Sequence, residues 1–282
     1  MQLRHSVTTP DSPEQIVPLR HPGRWLATAV VLVVIGLVFY SVATNPAFEW
    51  DVVGQYMLNG QILTGLGRTL ELTIAAMIIG LALGTVLALM RLSSNPLLSG
   101  ASWVYIWVFR SVPTLVQLIF WYNFGALYSS ISIGIPFGPT LFSANTNTVI
   151  TPMFAALAGL GLSQSAYTAE VIRAGIVSVP RGQTRAALAL GMRKGMIFRR
   201  IILPQAMKVV IPPVGNEVIG MVKNTSLVSV IAMAELLYTA QLIYSRTYQT
   251  IPLLIVASLW YLIIVSVMSI GQYFLERRFH HQ

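Results

Sequence analysis

Arg110, Glu217 and the run Lys223, Asn224, Thr225 and Ser226 are polar groups set inside otherwise apolar stretches. A charge in such surroundings is costly unless it has a partner, water or a ligand. The chemistry these residues offer is recognition of a polar solute by charge and hydrogen bonding. Arg110 has three readings: a contact for a solute carboxylate, a cation snorkelling toward the inner headgroups, or a structural partner for Glu217. Glu217 lies thirteen residues past Pro204, roughly 20 Å along a helix. It either lines a cavity or belongs to a structural ion pair. Residues 223–226 have either reached the outer interface or form a polar break of the kind found in transporter helices. Pro212, Pro213 and Gly215 predict an unwound or kinked span. Glu170 and Arg173, three residues apart, are expected to pair on one helix face.

Bond-breaking chemistry finds no support. The histidines are at positions 5, 21, 280 and 281, all in the tails, and there is no cysteine. No catalytic metal centre or serine–histidine pair can therefore assemble within the apolar stretches. The phosphate-loop pattern Gly-x-x-x-x-Gly-Lys-Ser/Thr is also missing. No catalytic residue, metal ligand or cofactor site is predicted.

The elements that must hold these groups are membrane spans. Hydrophobic residues make up 55% of the 282 positions and charged residues 10%, against about 25% charged in soluble domains. Mean hydropathy is +0.70. The predicted fold is an all-α integral membrane protein with six transmembrane helices. Residues 1–24 read as a disordered cytoplasmic tail. Residues 25–44 read as an extra amino-terminal span, longer than the ~7–15 residues of a signal-peptide core and therefore expected to be a retained anchor. After a mixed external loop (45–68), further spans are expected at 69–90, within 97–128 with a bend at Pro113, at 149–171, from about Pro204 to 233, and at 253–274. Residues 129–148 read as a Gly/Pro/Ser/Asn loop, and 276–282 as a second cytoplasmic tail.

The net charge of +9 is not a nucleic-acid signature, because the basic residues sit at the ends of apolar runs. In the six-span topology fourteen lysines and arginines fall inside, and only Arg68 and Arg246 outside. The positive-inside rule then puts both termini in the cytoplasm.

Residues 185–206, RAALALGMRKGMIFRRIILPQA, carry five basic residues and no acid. The alanines and leucines favour helix, Gly191 should end or bend it, and Pro204 suits the first turn of the next helix. Two short helices here would present a knob to a partner's groove.

This passage resembles the cytoplasmic motif of permeases of ATP-binding-cassette importers: Glu-Ala-Ala, three residues, Gly, nine residues, Ile, one residue, Leu-Pro. Ala186, Ala187, Gly191, Ile201, Leu203 and Pro204 fall on that spacing, and Arg185 stands where the family has glutamate. GLGRTLELT (65–73), FRSVPTLVQL (109–118), AYTAEVIRAGIVSVPRGQ (166–183) and NEVIGMVKNTSLVSVI (216–231) resemble the polar amino-acid branch. The likeness covers about residues 65–275 and implies a permease domain with a coupling loop at 178–204. The 25–44 span lies outside it.

The resemblance implies an inner-membrane permease subunit that moves polar amino acids inward. Its expected partners are ABC ATPase subunits that bind the ATP, a second permease subunit (identical or related), an extracytoplasmic binding protein and membrane lipid. Arg185, Ala186, Ala187, Gly191, Ile201, Leu203 and Pro204 would couple to the ATPase, and Arg110, Glu217, Lys223, Asn224, Thr225 and Ser226 would line the solute path. An ion-coupled secondary carrier is the competing class. It would work without an ATPase and would usually carry an internal repeat of spans, which the sequence does not display.

Overall fold

Apolar stretches of twenty to thirty residues satisfy their backbone groups in lipid only by closing helical hydrogen bonds, and helices dominate the computed structural model. It describes residues 22–134 and 140–280. Most of the expected 1–24 tail, and residues 281 and 282, lie outside that range.

The chain divides into two units, Met1–Phe48 and Glu49–Gln282. The first holds α1 (Pro22–Thr44). None of its apolar window is buried within the protein, and Trp25, Leu32, Leu37 and Phe39 are all exposed. A helix apolar on every side is suited to lipid contact.

The second unit begins with α2 (Trp50–Met57) and α3 (Gly60–Arg91). The span expected at 69–90 thus starts nine residues earlier, where the Asn59 side chain accepts from Gln61 N and caps the helix. Next come α4 (Pro96–Ser111) and α5 (Thr114–Tyr122). They meet at 99°, because Pro113 cannot continue the α4 ladder. Gln117 stabilises the elbow: its Nε2 donates to the carbonyls of Phe109 and Val112 at 3.1 and 2.9 Å.

Residues 129–148 are not a simple loop, and the chain is not purely α-helical. β1 (Ser130–Gly134) and β2 (Thr140–Asn145) pair antiparallel, with a bulge at Ile133/Gly134. Alternation in Ser-Ile-Ser-Ile carries the first strand, and its polar turn residues had masked it. A short α6 (Thr146–Val149) leads to α7 (Pro152–Val177).

The centre of this unit is α3 against α7. Gly80 lies on Gln164 and Gly84 on Thr168, the close approach that small residues four apart permit. Leu72, Ala76, Met77, Leu118, Ala155, Ala156 and Leu160 complete the core. A second cluster, with Val53, Ile62, Leu236, Ala240, Leu253 and Val256, binds α2 and α3 to the last two helices.

The basic passage forms α8 (Arg181–Ala189) and α9 (Lys194–Ile197), followed by a π-helical turn at Phe198–Ile202. α10 (Leu203–Asn224) runs unbroken through Pro212 and Pro213, so the unwinding expected there does not occur. Gln272 donates to the Pro212 carbonyl at 2.9 Å and packs on Gly215, supporting the helix at this point. The break comes later, where Thr225–Ile231 narrows to a 3-10 helix and Ala232 turns left-handed at φ 55°. α11 (Leu236–Thr247) and α12 (Thr250–His280) close the chain. α12 takes in most of the expected 276–282 tail.

Among the described residues, α1, α3 and α12 are long and apolar enough to cross a membrane individually. Counting α4 with α5, and the stretch from α9 to the 3-10 helix with α11, as bent spans gives five. α7 does not reach that apolarity. Its Ser163, Gln164, Ser165 and Thr168 are buried against protein.

Candidate functional site

Glu217 meets neutral donors. Its Oε2 accepts from Gln164 Nε2 at 2.8 Å and Thr168 Oγ1 at 3.0 Å. Both donors come from one turn of α7, brought within reach by the glycine contacts of α3. The ion pairs among the described residues are Arg68–Glu71 and Arg173–Glu170, so Glu217 is not in a structural ion pair. Arg110 is not its partner: its guanidinium lies over the Tyr167 ring, 5.2 Å from the centroid. A cation on an aromatic face is a favourable contact that leaves its N–H groups free. Glu170 and Arg173 pair as their spacing predicts, Nη2 to Oε2 at 2.7 Å.

At the break, Thr225 is buried and donates to the Val222 carbonyl at 2.6 Å, while Ser226 donates to that of Lys223. These local bonds occupy carbonyls that an ended helix leaves open. Lys223 and Asn224 are exposed. Lys223 and Ser226 share a concavity of ≈ 400 Å³ with Ser258, Tyr261, Leu262 and Val265. The structure thus brings Lys223 and Ser226 together and leaves Arg110 and Glu217 out of that concavity.

Two features escaped the sequence reading. Glu235 is fully buried and caps α11, accepting from Leu237 N and Tyr238 N at 3.0 and 2.8 Å. Tyr261 donates to it from α12 at 2.8 Å, and Thr69 stands beside it on α3. This carboxylate joins three helices next to the Lys223 concavity. The second is a larger concavity of ≈ 870 Å³ at the amino end of α3, with Gln61, Thr64, Arg68, Thr239 and Arg246 among its lining. Glu is not among the usual N-cap residues, so no local signal pointed to Glu235. Nothing local pointed to the concavity.

The basic passage folds as its residue types require. α8 ends in a paired-carbonyl stop: Gly191 N donates to Leu188 O at 2.9 Å and Met192 N to Ala187 O at 3.1 Å. Gly191 takes φ 76°, a conformation glycine adopts without penalty. Ala187 and Ile197 are buried beneath the turn, while Leu188 and Leu190 stand out, Leu190 at 83% exposure. Arg185 and Ala186 are exposed. Ile201 lies within the π turn, and Leu203 and Pro204 open α10. Gln205 ties this start back to α8 through Gln183 at 2.6 Å. The result is an apolar-tipped knob fixed to the base of α10.

Residues 80–281 match the binding-protein-dependent transport system inner membrane component family, and the chain belongs to that family. It is an ABC transporter permease and a multi-pass inner membrane protein. Over 275 residues it is 43% identical to the arginine transport system permease protein of Corynebacterium glutamicum, covering 96% of this chain and 85% of that one. The L-cystine transport system permease protein of Bacillus subtilis is 37% identical, over 82% of this chain and 92% of its own. The crystal structure of an amino acid ABC transporter with histidines superposes with a TM-score of 0.68 at 36% identity, covering 81% of this chain and 98% of that chain. An inward-facing methionine ABC transporter at 18% identity shares the fold, with a TM-score of 0.56 over 80% of this chain and 97% of that one.

Proposed function

We propose that the chain is the permease subunit of an ATP-driven importer of polar amino acids. An extracytoplasmic binding protein delivers the solute, and ABC ATPase subunits bind and hydrolyse the ATP. The chain carries no cofactor and catalyses no bond breaking. The observation that carries this reading is the knob at Gly191: a rigid turn with Leu188 and Leu190 exposed has the form of a helix-in-groove contact. The substrate class rests on the arginine, cystine and other amino-acid systems of its relatives.

With α7 counted as the fourth of six spans, the excess of basic residues at one side supports both termini and residues 178–204 lying in the cytoplasm. Residues 1–24 form the leading tail, 25–44 the extra span and 65–275 the permease domain. Asn216, Lys223 and Asn224 are exposed along α10. Polar groups at membrane depth face protein or water rather than lipid, which supports a second permease subunit across this face. The solute path then runs past Glu217 and the 223–226 break, with Arg110 toward its inner end. ATP-driven closure of the ATPases moves the knob, Gln205 and α10 together, and the flexure falls at Thr225, giving alternating access by rigid-body movement.

The test is uptake into vesicles holding this chain with its ATPase and binding protein. The expected result is amino-acid uptake that needs ATP and all three components. Uptake driven by a proton or sodium gradient without ATP would overturn it in favour of a secondary carrier.

A further inference from the structure

Arg193, Arg199 and Arg200, with Gly195 and Met196, line a concavity of ≈ 720 Å³. Arg193 and Arg200, seven residues apart across α9 and the π turn, and Arg199 beside Arg200 all line this one concavity. All three are exposed. Among the described residues none of them has an acidic partner, since the ion pairs there are Arg68–Glu71 and Arg173–Glu170. No acid occurs between Glu170 and Glu217. At the carboxyl end of α12, Glu276 accepts from Gln272 at 2.7 Å. Three uncompensated cations in one concavity fit an anionic group with several acceptor oxygens.

Position selects the source of that anion. Arg199 and Arg200 lie five and four residues before Pro204, roughly 6–8 Å below the start of the fifth span at helical rise. The headgroup layer on each side of a bilayer is about 5–7 Å deep. The knob tip at Leu190 and Gly191 lies eight to ten residues before Arg199 and Arg200, which sets those two arginines apart from the tip, with Arg193 between them. We infer that Arg193, Arg199 and Arg200 hold the phosphate of an anionic glycerophospholipid from the cytoplasmic leaflet. Met196, on the rim, meets the upper acyl chain. A lipid held here is fixed to the link between knob and α10, so leaflet composition bears on coupling.

The inference rests on the cytoplasmic placement of residues 178–204 in the reading above, but its test needs neither ATP nor solute. The full chain, purified in neutral detergent, is titrated with phosphatidylglycerol or phosphatidylcholine of identical acyl chains, and bound lipid is counted by native mass spectrometry. The expected result is preferential retention of phosphatidylglycerol. The combined variant Arg193→Gln, Arg199→Gln, Arg200→Gln should weaken it on the order of a hundredfold, at about fivefold per cation. The corresponding triple lysine variant should keep most of the binding, which separates lost charge from misfolding. Arg277→Gln with Arg278→Gln should leave that site filled. Equal phosphatidylglycerol binding by the triple glutamine variant overturns the inference. So does full displacement by inorganic phosphate, which would make this a soluble-anion site, or displacement by the ATPase subunit, which would assign the surface to the partner. None of these outcomes bears on whether ATP drives uptake, and failed uptake leaves a measured lipid preference intact.

Discussion

Among the described residues the Glu217 carboxylate has an amide and a hydroxyl as its donors. It is half-buried and meets no cation among the described residues, so it is left able to receive one. Glutamine at 217 can accept from the same two donors, so Glu217→Gln is expected to change thermal stability by less than about 1 kcal/mol. In reconstituted vesicles it should raise the KM for cationic amino acids about tenfold, the size of one lost charge-assisted hydrogen bond. Unchanged KM would remove Glu217 from the solute path. Gly84 has a steric role instead. A Cβ there would lie 2.8 Å from Thr168 Cβ and 2.9 Å from Ser165 O, atoms close to or in the α7 backbone. Gly84→Leu should destabilise the bundle by about 1–3 kcal/mol through overpacking, read as a lowered melting temperature in detergent, and should also displace Thr168 from Glu217.

At the level of elements, the parts legible in the sequence were those set by local backbone chemistry. Gly191 ends α8 because glycine takes a positive φ without penalty, while Pro113 bends the third span and Pro204 opens α10 because proline fixes φ and lacks a donor. What stayed hidden depends on partners distant in the chain. α10 passes through Pro212 and Pro213 without a break, and the residue packed against it there, Gln272, is sixty residues away. Glu235 gains its meaning from Thr69, 166 residues before it. The hairpin at 130–145 was missed because glycine, proline and serine outweigh its short alternating pattern. Gly191→Ala tests the knob as an element. An L-residue in the left-handed region costs about 1–2 kcal/mol, enough to fray the end of α8 while leaving the spans folded. The expected outcome is normal assembly with the ATPase subunit but reduced coupling, measured as solute moved per ATP hydrolysed.

For the molecule as a whole, orientation is the property on which everything else depends, and the sequence offers a direct way to measure it. With no native cysteine, a single introduced thiol reports its own side of the membrane. Leu190→Cys on the knob should react with a membrane-impermeant maleimide only in inside-out vesicles. Leu58→Cys, 73% exposed between α2 and α3, should react only in right-side-out ones. Labelling of residue 190 from the outside would invert the molecule and remove the ATPase from its proposed seat. The whole molecule also explains why α7 is less apolar than the other spans. Its polar groups are spent on Glu217, Tyr105 and Thr114, so hydropathy read one segment at a time undervalues it. The same trait governs biosynthesis. A segment that lacks the greasiness to leave the translocon unaided must wait at its exit until an earlier helix offers those hydroxyls and amides a home. In an in vitro insertion assay α7 alone should therefore remain aqueous, and it should enter the bilayer when α3 through α5 precede it on the nascent chain.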